Sequence, residues 1–102
     1  MVILKNPVHP GQVLSIEFLG EMDLTVEECA VAIGVPSSRI EQIVSEQASV
    51  SVDIAMRLSR LFGTTPEFWL NMQSRFELSV AAADQSLSQD LALIERHAAT
   101  IS

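Results

Sequence analysis

Apolar residues recur along this chain at helical spacing, three or four positions apart, and apolar–polar alternation of the strand type is almost absent. The pattern predicts a string of helices. Pro10 suits a first helical position, and Val13, Leu14, Phe18 and Leu19 follow on the apolar side of that segment. Thr25 and Glu28 have the spacing of a capping box, which starts a second helix running to about Ile33 and stopping at Gly34. Pro36 presets the entry to a third helix that runs to about Ser45, and Gln47 to Val50 reads as a polar loop. Ser51 caps a fourth helix with Asp53 in its first turn, Ile54, Leu58 and Leu61 on one face, and Gly63 at its end. Thr65 and Pro66 open a fifth helix whose apolar stripe is Phe68, Trp69, Met72 and Phe76. After a weaker break at Asp84 to Ser88, Leu87, Leu91, Ile94 and Ala98 space a last helix.

Within this string, Val26 to Ile43 has the spacing of a DNA-reading helix-turn-helix. Ala30 falls where two helices must cross closely, Gly34 at the turn, and Val35, Ile40 and Ile43 where the second helix of the pair faces the core. Such a motif lays its second helix in the major groove, so side chains pointing away from the core face the bases. Here those are Ser37, Ser38, Arg39, Glu41, Gln42 and Ser45. Arg39 is the one basic residue between Val26 and Ile43.

The 102 residues make one domain, 1–102, with a core at about 10–80 and a helical extension at 81–102. A hydrophobic share of 48% and a mean hydropathy of +0.31 exclude a disordered chain and point to a buried partner face. No apolar run is long enough to span a bilayer, and the apolar start breaks at Asn6 and Pro7, so neither a membrane segment nor a signal peptide is expected. A cytoplasmic location follows as the default. The net charge is −7. Up to Val50 two cations, Lys5 and Arg39, face seven acids; beyond it four arginines face six. Phosphate neutralisation supplies most non-specific DNA affinity, so bulk DNA should bind weakly, while basic partners are attracted.

Val8-His9-Pro10-Gly11, Val13-Leu14 and Glu17-Phe18-Leu19 resemble the opening of the HigA-type antitoxins, also labelled virulence-associated protein I. The resemblance continues through Gly34-Val35, Arg39-Ile40, Ala55, Arg57-Leu58 and Phe62-Gly63. It closes on Thr65-Pro66-Glu67-Phe68-Trp69-Leu70-Asn71-Met72-Gln73, a block that generic helix-turn-helix proteins lack. The resemblance covers roughly residues 8 to 80. It implies an all-α fold: a five-helix Cro/repressor-like helix-turn-helix domain, here with an additional C-terminal helix. It also implies a homodimer that represses its own operon and sequesters a cognate HigB/RelE-like, mRNA-cleaving toxin.

The resulting expectations are specific. Arg39 can give two hydrogen bonds to a guanine edge and Gln42 can pair with adenine, with Ser37, Ser38, Ser45 and Thr25 as further DNA contacts. The bland alternative for Arg39 is a surface pair with a nearby glutamate. The acids Glu17, Glu21 and Asp23 are the candidate face for a basic toxin, or simply a solvated surface. The spare stripe Leu87, Leu91 and Ile94 either packs on the core or joins two subunits. Trp69 and Phe68 read as core rather than as a ligand pocket, and Cys29 as a small core residue. Cys29 is alone, and His9 and His97 have no third ligand nearby, so neither metal nor cofactor is expected. No nucleophile–base order, phosphate loop or metal motif supports an enzyme. Two other readings stay open: an acidic protein-binding module that keeps the fold without DNA affinity, and a transcriptional regulator with no toxin partner.

Overall fold

A computed structural model describes residues 8–97, and the described residues form helices and no strand. Lys5 and Ala98 lie outside them. The first helix opens as α1, Pro10–Val13, and runs on without a break as a π-helix, Leu14–Gly20. Then follow α2 (Val26–Ile33), α3 (Ser37–Val44), α4 (Val52–Phe62), α5 (Pro66–Ala82) and α6 (Gln85–Ala92). This is the all-α, five-helix plan with an added C-terminal helix.

Local chemistry sets most of the boundaries. Thr25 Oγ1 accepts the Glu28 N–H at 3.0 Å and a Glu28 carboxylate oxygen accepts the Thr25 N–H at 2.9 Å, which completes the capping box. Ser51 and Thr65 cap α4 and α5 by the same side-chain-to-backbone bond, at 3.2 and 3.1 Å. Gly34 and Gly63 end α2 and α4 in the left-handed region, at φ 76° and 75°, where a side chain would be strained. The π-helix is the departure that periodicity did not foresee. Its i→i+5 bonding widens the turn, so Leu14 and Leu19, five residues apart, both turn inward and are buried.

The core gathers residues from every helix up to α5. Leu14, Cys29, Ile40, Ile43, Ile54, Ala55, Leu58 and Trp69 are fully shielded, with Ala30 nearly so at the α2 crossing. Trp69 fills the centre: its indole N–H donates to Thr64 Oγ1 at 2.8 Å, and Phe18, Phe62 and Phe68 surround its ring. Burial pushes the Cys29 thiol up, away from the reactive thiolate.

Three apolar expectations change. Leu61 was expected on the inner face of α4 with Ile54 and Leu58, but it sits in the helix's last turn and is exposed. Phe68 touches Trp69 only edge-on and keeps 38% of its surface in water. The last helix starts sooner and ends earlier than its stripe implied. Asp84 caps it by accepting the Ser86 and Leu87 N–H groups, and it stops at Ala92, leaving Ile94 beyond its end. None of its residues is buried.

A very close backbone approach joins α1 to the end of α3. Gly11 faces the Ile43 carbonyl so tightly that a Cβ there would overlap the oxygen. His9 fixes this turn: its Nδ1 accepts the Gly11 N–H at 2.9 Å, and its ring meets Phe76 of α5 edge-on at 4.9 Å. Gly11→Ala must therefore move backbone against backbone. It should destabilise the protein by about 1–3 kcal/mol, the usual cost of overpacking. Thermal unfolding by circular dichroism checks this; an unshifted midpoint would place α1 further from α3.

Candidate nucleic-acid interface

The outer face of α3 is the candidate. Ile40 and Ile43 anchor the helix in the core, three residues apart, and this fixes its rotation. Ser38, Arg39, Glu41 and Gln42 are consequently exposed, with Ser37 half-buried at the first turn. Ser38 and Gln42 are one turn apart, and Arg39 lies beside both. The structure thus brings Ser37, Ser38, Arg39 and Gln42 onto one surface. Ser45 is also exposed, but its hydroxyl donates to the Gln42 carbonyl at 3.2 Å, inside its own helix end. Thr25 is exposed at the start of α2, with its oxygen committed to the cap.

Arg39 is not paired with a glutamate. Its guanidinium Nη2 donates to Ser51 Oγ at 3.4 Å, a long bond to the N-cap of α4. That single exposed contact is weak enough for a guanine edge to replace. The surrounding charge opposes phosphate. The N-terminus of α2 would ordinarily attract an anion, but Glu27 and Glu28 occupy its first turn. Glu41 lies on α3 itself and Glu46 in the turn after it. Arg57, the next arginine, is already engaged: Nε meets the Asp53 carboxylate at 3.1 Å and Nη1 donates to the Ile33 carbonyl at 2.6 Å. It closes the end of α2 onto α4.

Residues outside α3 hold it in place, and sequence reasoning had not assigned them that role. Gln73 is buried; its Oε1 accepts the Val50 N–H at 2.9 Å and its Nε2 donates to Glu77 at 2.9 Å. Glu77 also accepts the Ser49 hydroxyl at 3.1 Å. The loop after α3 is thereby clamped to α5. The available signal was the block Thr65 to Gln73, whose polar last residue breaks an otherwise apolar face. His9 and Gly11 hold the same end of α3 from the other side.

The acids Glu17, Glu21 and Asp23 are all exposed along the π-helix and the turn after it, where Asp23 takes a left-handed φ of 55°. Ile16 and Met22, about half exposed, stand among them. Among the described residues no group of three potential ligands converges on a metal position.

The helix-turn-helix family model (HTH_3) matches residues 16–69, which hold the first helix from Ile16 to Trp69 in α5. Virulence-associated protein I of Dichelobacter nodosus is 42% identical over 78 residues, 76% of this chain and 72% of that protein. Antitoxin HigA of Pseudomonas aeruginosa, solved with the higBA promoter, superposes with a TM-score of 0.81 at 40% identity, covering 87% of this chain and 96% of that one. Antitoxin GraA in complex with its operator gives 0.84 at 36% identity, covering 97% and 99%.

His9 supplies a pH test of the scaffold under this face. Burial lowers its pKa below the ordinary value, and Glu46 and Glu77 only partly oppose that. Its Nδ1 must also stay unprotonated to accept the Gly11 N–H. The unfolded chain therefore binds the proton more readily than the fold. The resulting stability is complete above the ordinary histidine pKa of about 6.5 and is lost as pH falls through the lowered folded value. Denaturant unfolding should show stability falling from pH 7.5 to 5.5. His9→Asn, which keeps a capping acceptor, should flatten that slope. An equal slope in both proteins would assign the pH dependence to the carboxylates.

Proposed function

We propose a function from one premise: the chain belongs to the helix-turn-helix family, with Virulence-associated protein I and the HigA-type antitoxins. The protein is a DNA-binding antitoxin that represses its own operon; it is not an enzyme. The carrying observation is the exposed Ser38–Arg39–Gln42 face on a helix anchored by Ile40 and Ile43, on the scaffold that relatives present to promoter and operator DNA. Arg39 reads a guanine edge after leaving Ser51, Gln42 and Ser38 read neighbouring bases, and Ser37, Ser45 and Thr25 touch the backbone.

One recognition helix covers too little DNA for tight binding, so the repressor acts as a homodimer with its two α3 helices about 34 Å apart. Residues 1–102 act as one unit. No helix among the described residues is long and apolar enough to cross a membrane, and repression places the protein with the DNA in the cytoplasm. The toxin is a basic, RNA-cleaving protein. It meets the Glu17–Glu21–Asp23 face, where Ile16 and Met22 supply apolar contact between the acids.

Titration of the operator with wild type and Arg39→Ala tests the DNA reading. The variant should bind about 1–3 kcal/mol more weakly. The wild-type salt slope should be shallow, on the order of 2–4, because few cations replace counterions. No preference for its own promoter over random DNA, with or without toxin, overturns the reading in favour of an acidic protein-binding module.

A second measurement addresses the toxin. Glu17→Lys, Glu21→Lys and Asp23→Asn together, the last chosen to suit the left-handed turn, should slow toxin association at low salt and leave folding intact. An unchanged association rate in stopped flow would make these acids a solvated face only.

A further inference from the structure

The contacts that hold the end of α3 meet at one titratable residue. His9 is buried and caps α1 through Nδ1, which accepts the Gly11 N–H at 2.9 Å. Gly11 abuts the Ile43 carbonyl, and that same oxygen accepts the Glu46 N–H at 3.0 Å in the turn after α3. From α5, Glu77 accepts the Ser49 hydroxyl and the Gln73 amide, and Gln73 accepts the Val50 N–H. The charged groups that reach His9 are Glu46 from that turn and Glu77 from α5. The four residues of α1 carry neither acid nor base.

One proton rearranges this cluster. An imidazole that accepts at Nδ1 is neutral; the protonated ring has an N–H at both nitrogens and no acceptor left. The Gly11 N–H then faces another donor and the cap of α1 is lost. The charged ring is drawn instead to the Glu46 and Glu77 carboxylates. A Glu77 that turns to it gives up Ser49 and Gln73, so the supports of α3 from α1 and from α5 loosen together.

We propose that His9 is a positioning residue for the recognition helix: the operator-binding form of α3 requires its neutral ring, so acid weakens operator binding. This rests on the DNA-reading role of α3 given above. The sign sets it apart from general electrostatics. Thirteen acids against six lysines and arginines leave the protein repelled by phosphate. Acid removes that negative charge, so every other titration strengthens DNA binding. Reciprocity adds a second requirement: operator DNA makes His9 harder to protonate, whereas a phosphate beside a histidine makes it easier.

Fluorescence anisotropy of the full chain on a labelled duplex of its own promoter, at constant ionic strength, tests this. From pH 7.5 to 5.5 wild type should lose about three- to tenfold in affinity, as the fraction of protein with its cap intact falls. His9→Asn, which keeps a capping acceptor, should hold or gain affinity over the same range. Glu46→Gln, at an exposed position, should move the loss to lower pH, because it removes an acid that favours the charged ring. Circular dichroism at each pH verifies that the proteins are folded. Should His9→Asn not fold, NMR titration of the wild-type His9 ring is the readout: it should protonate at lower pH on the operator than in the free protein. Affinity that stays level or rises in acid, an equal loss in His9→Asn, or a ring that titrates no lower on DNA overturns the role of His9 and leaves the repressor reading standing. No preference for its own promoter over random DNA at pH 7.5 overturns both.

Discussion

The contact of Gly11 with the Ile43 carbonyl sets the attitude of the recognition helix, and most of the fold is arranged to keep it. Only a residue without a Cβ lets the first turn of α1 approach the end of α3 so closely. Once there, His9 caps the turn, rests edge-on against Phe76 and shields the approach from water. Gln73 and Glu77 then hold the loop that follows α3 from the α5 side. The exposed face of α3 carries few strong interactions of its own. Its position is held by residues of other helices behind it, as a preorganised site requires.

That support matters more here because charge works against the interface. Glu27 and Glu28 stand in the first turn of α2, Glu41 on α3 and Glu46 in the turn after it, against Arg39 as the one basic residue of the helix pair. A protein with many phosphate contacts gains affinity for any duplex; this one gains little. For the proposed direct reading by a few side chains, an error in helix position of a fraction of an ångström would cost a hydrogen bond. On the proposed reading, few phosphate contacts and an α3 held at its end from two sides would favour the right site over bulk DNA by ratio rather than by strength.

The parts of this architecture that were legible in the sequence are those written by neighbouring residues. The Thr25–Glu28 box, the left-handed glycines 34 and 63, the Ser51 cap and the Thr65-Pro66 start depend on chemistry within three or four positions. Helix rotation was legible too, because Ile40 and Ile43 repeat at helical spacing. The π-helix was not, since Leu14 and Leu19 fit a helix of either pitch loosely. The Gln73–Val50 bond joins positions 23 apart, and nothing in either residue's surroundings announces the other. The candidate bases-facing residues could be placed on a face, but their existing partners could not. That Arg39 leans to Ser51, and that Ser45 is tied to the Gln42 carbonyl, emerges only when helices are set side by side.

The misread apolar residues carry a different lesson. Leu61, Leu87, Leu91 and Ile94 obey helical periodicity yet lie outside the core of the single chain. Periodicity reports that a face is to be covered, and says nothing about which molecule covers it. The buried apolar core runs from Leu14 to Trp69, with Leu70 and Met72 packed against it, and no residue of α6 is buried in it. The apolar stripe of Leu87 and Leu91 is therefore left uncovered within a single copy. The acids Glu17, Glu21 and Asp23 on and just after the first helix, and Asp90 and Glu95 on and just after α6, make each surface better suited to a positively charged neighbour than to the other.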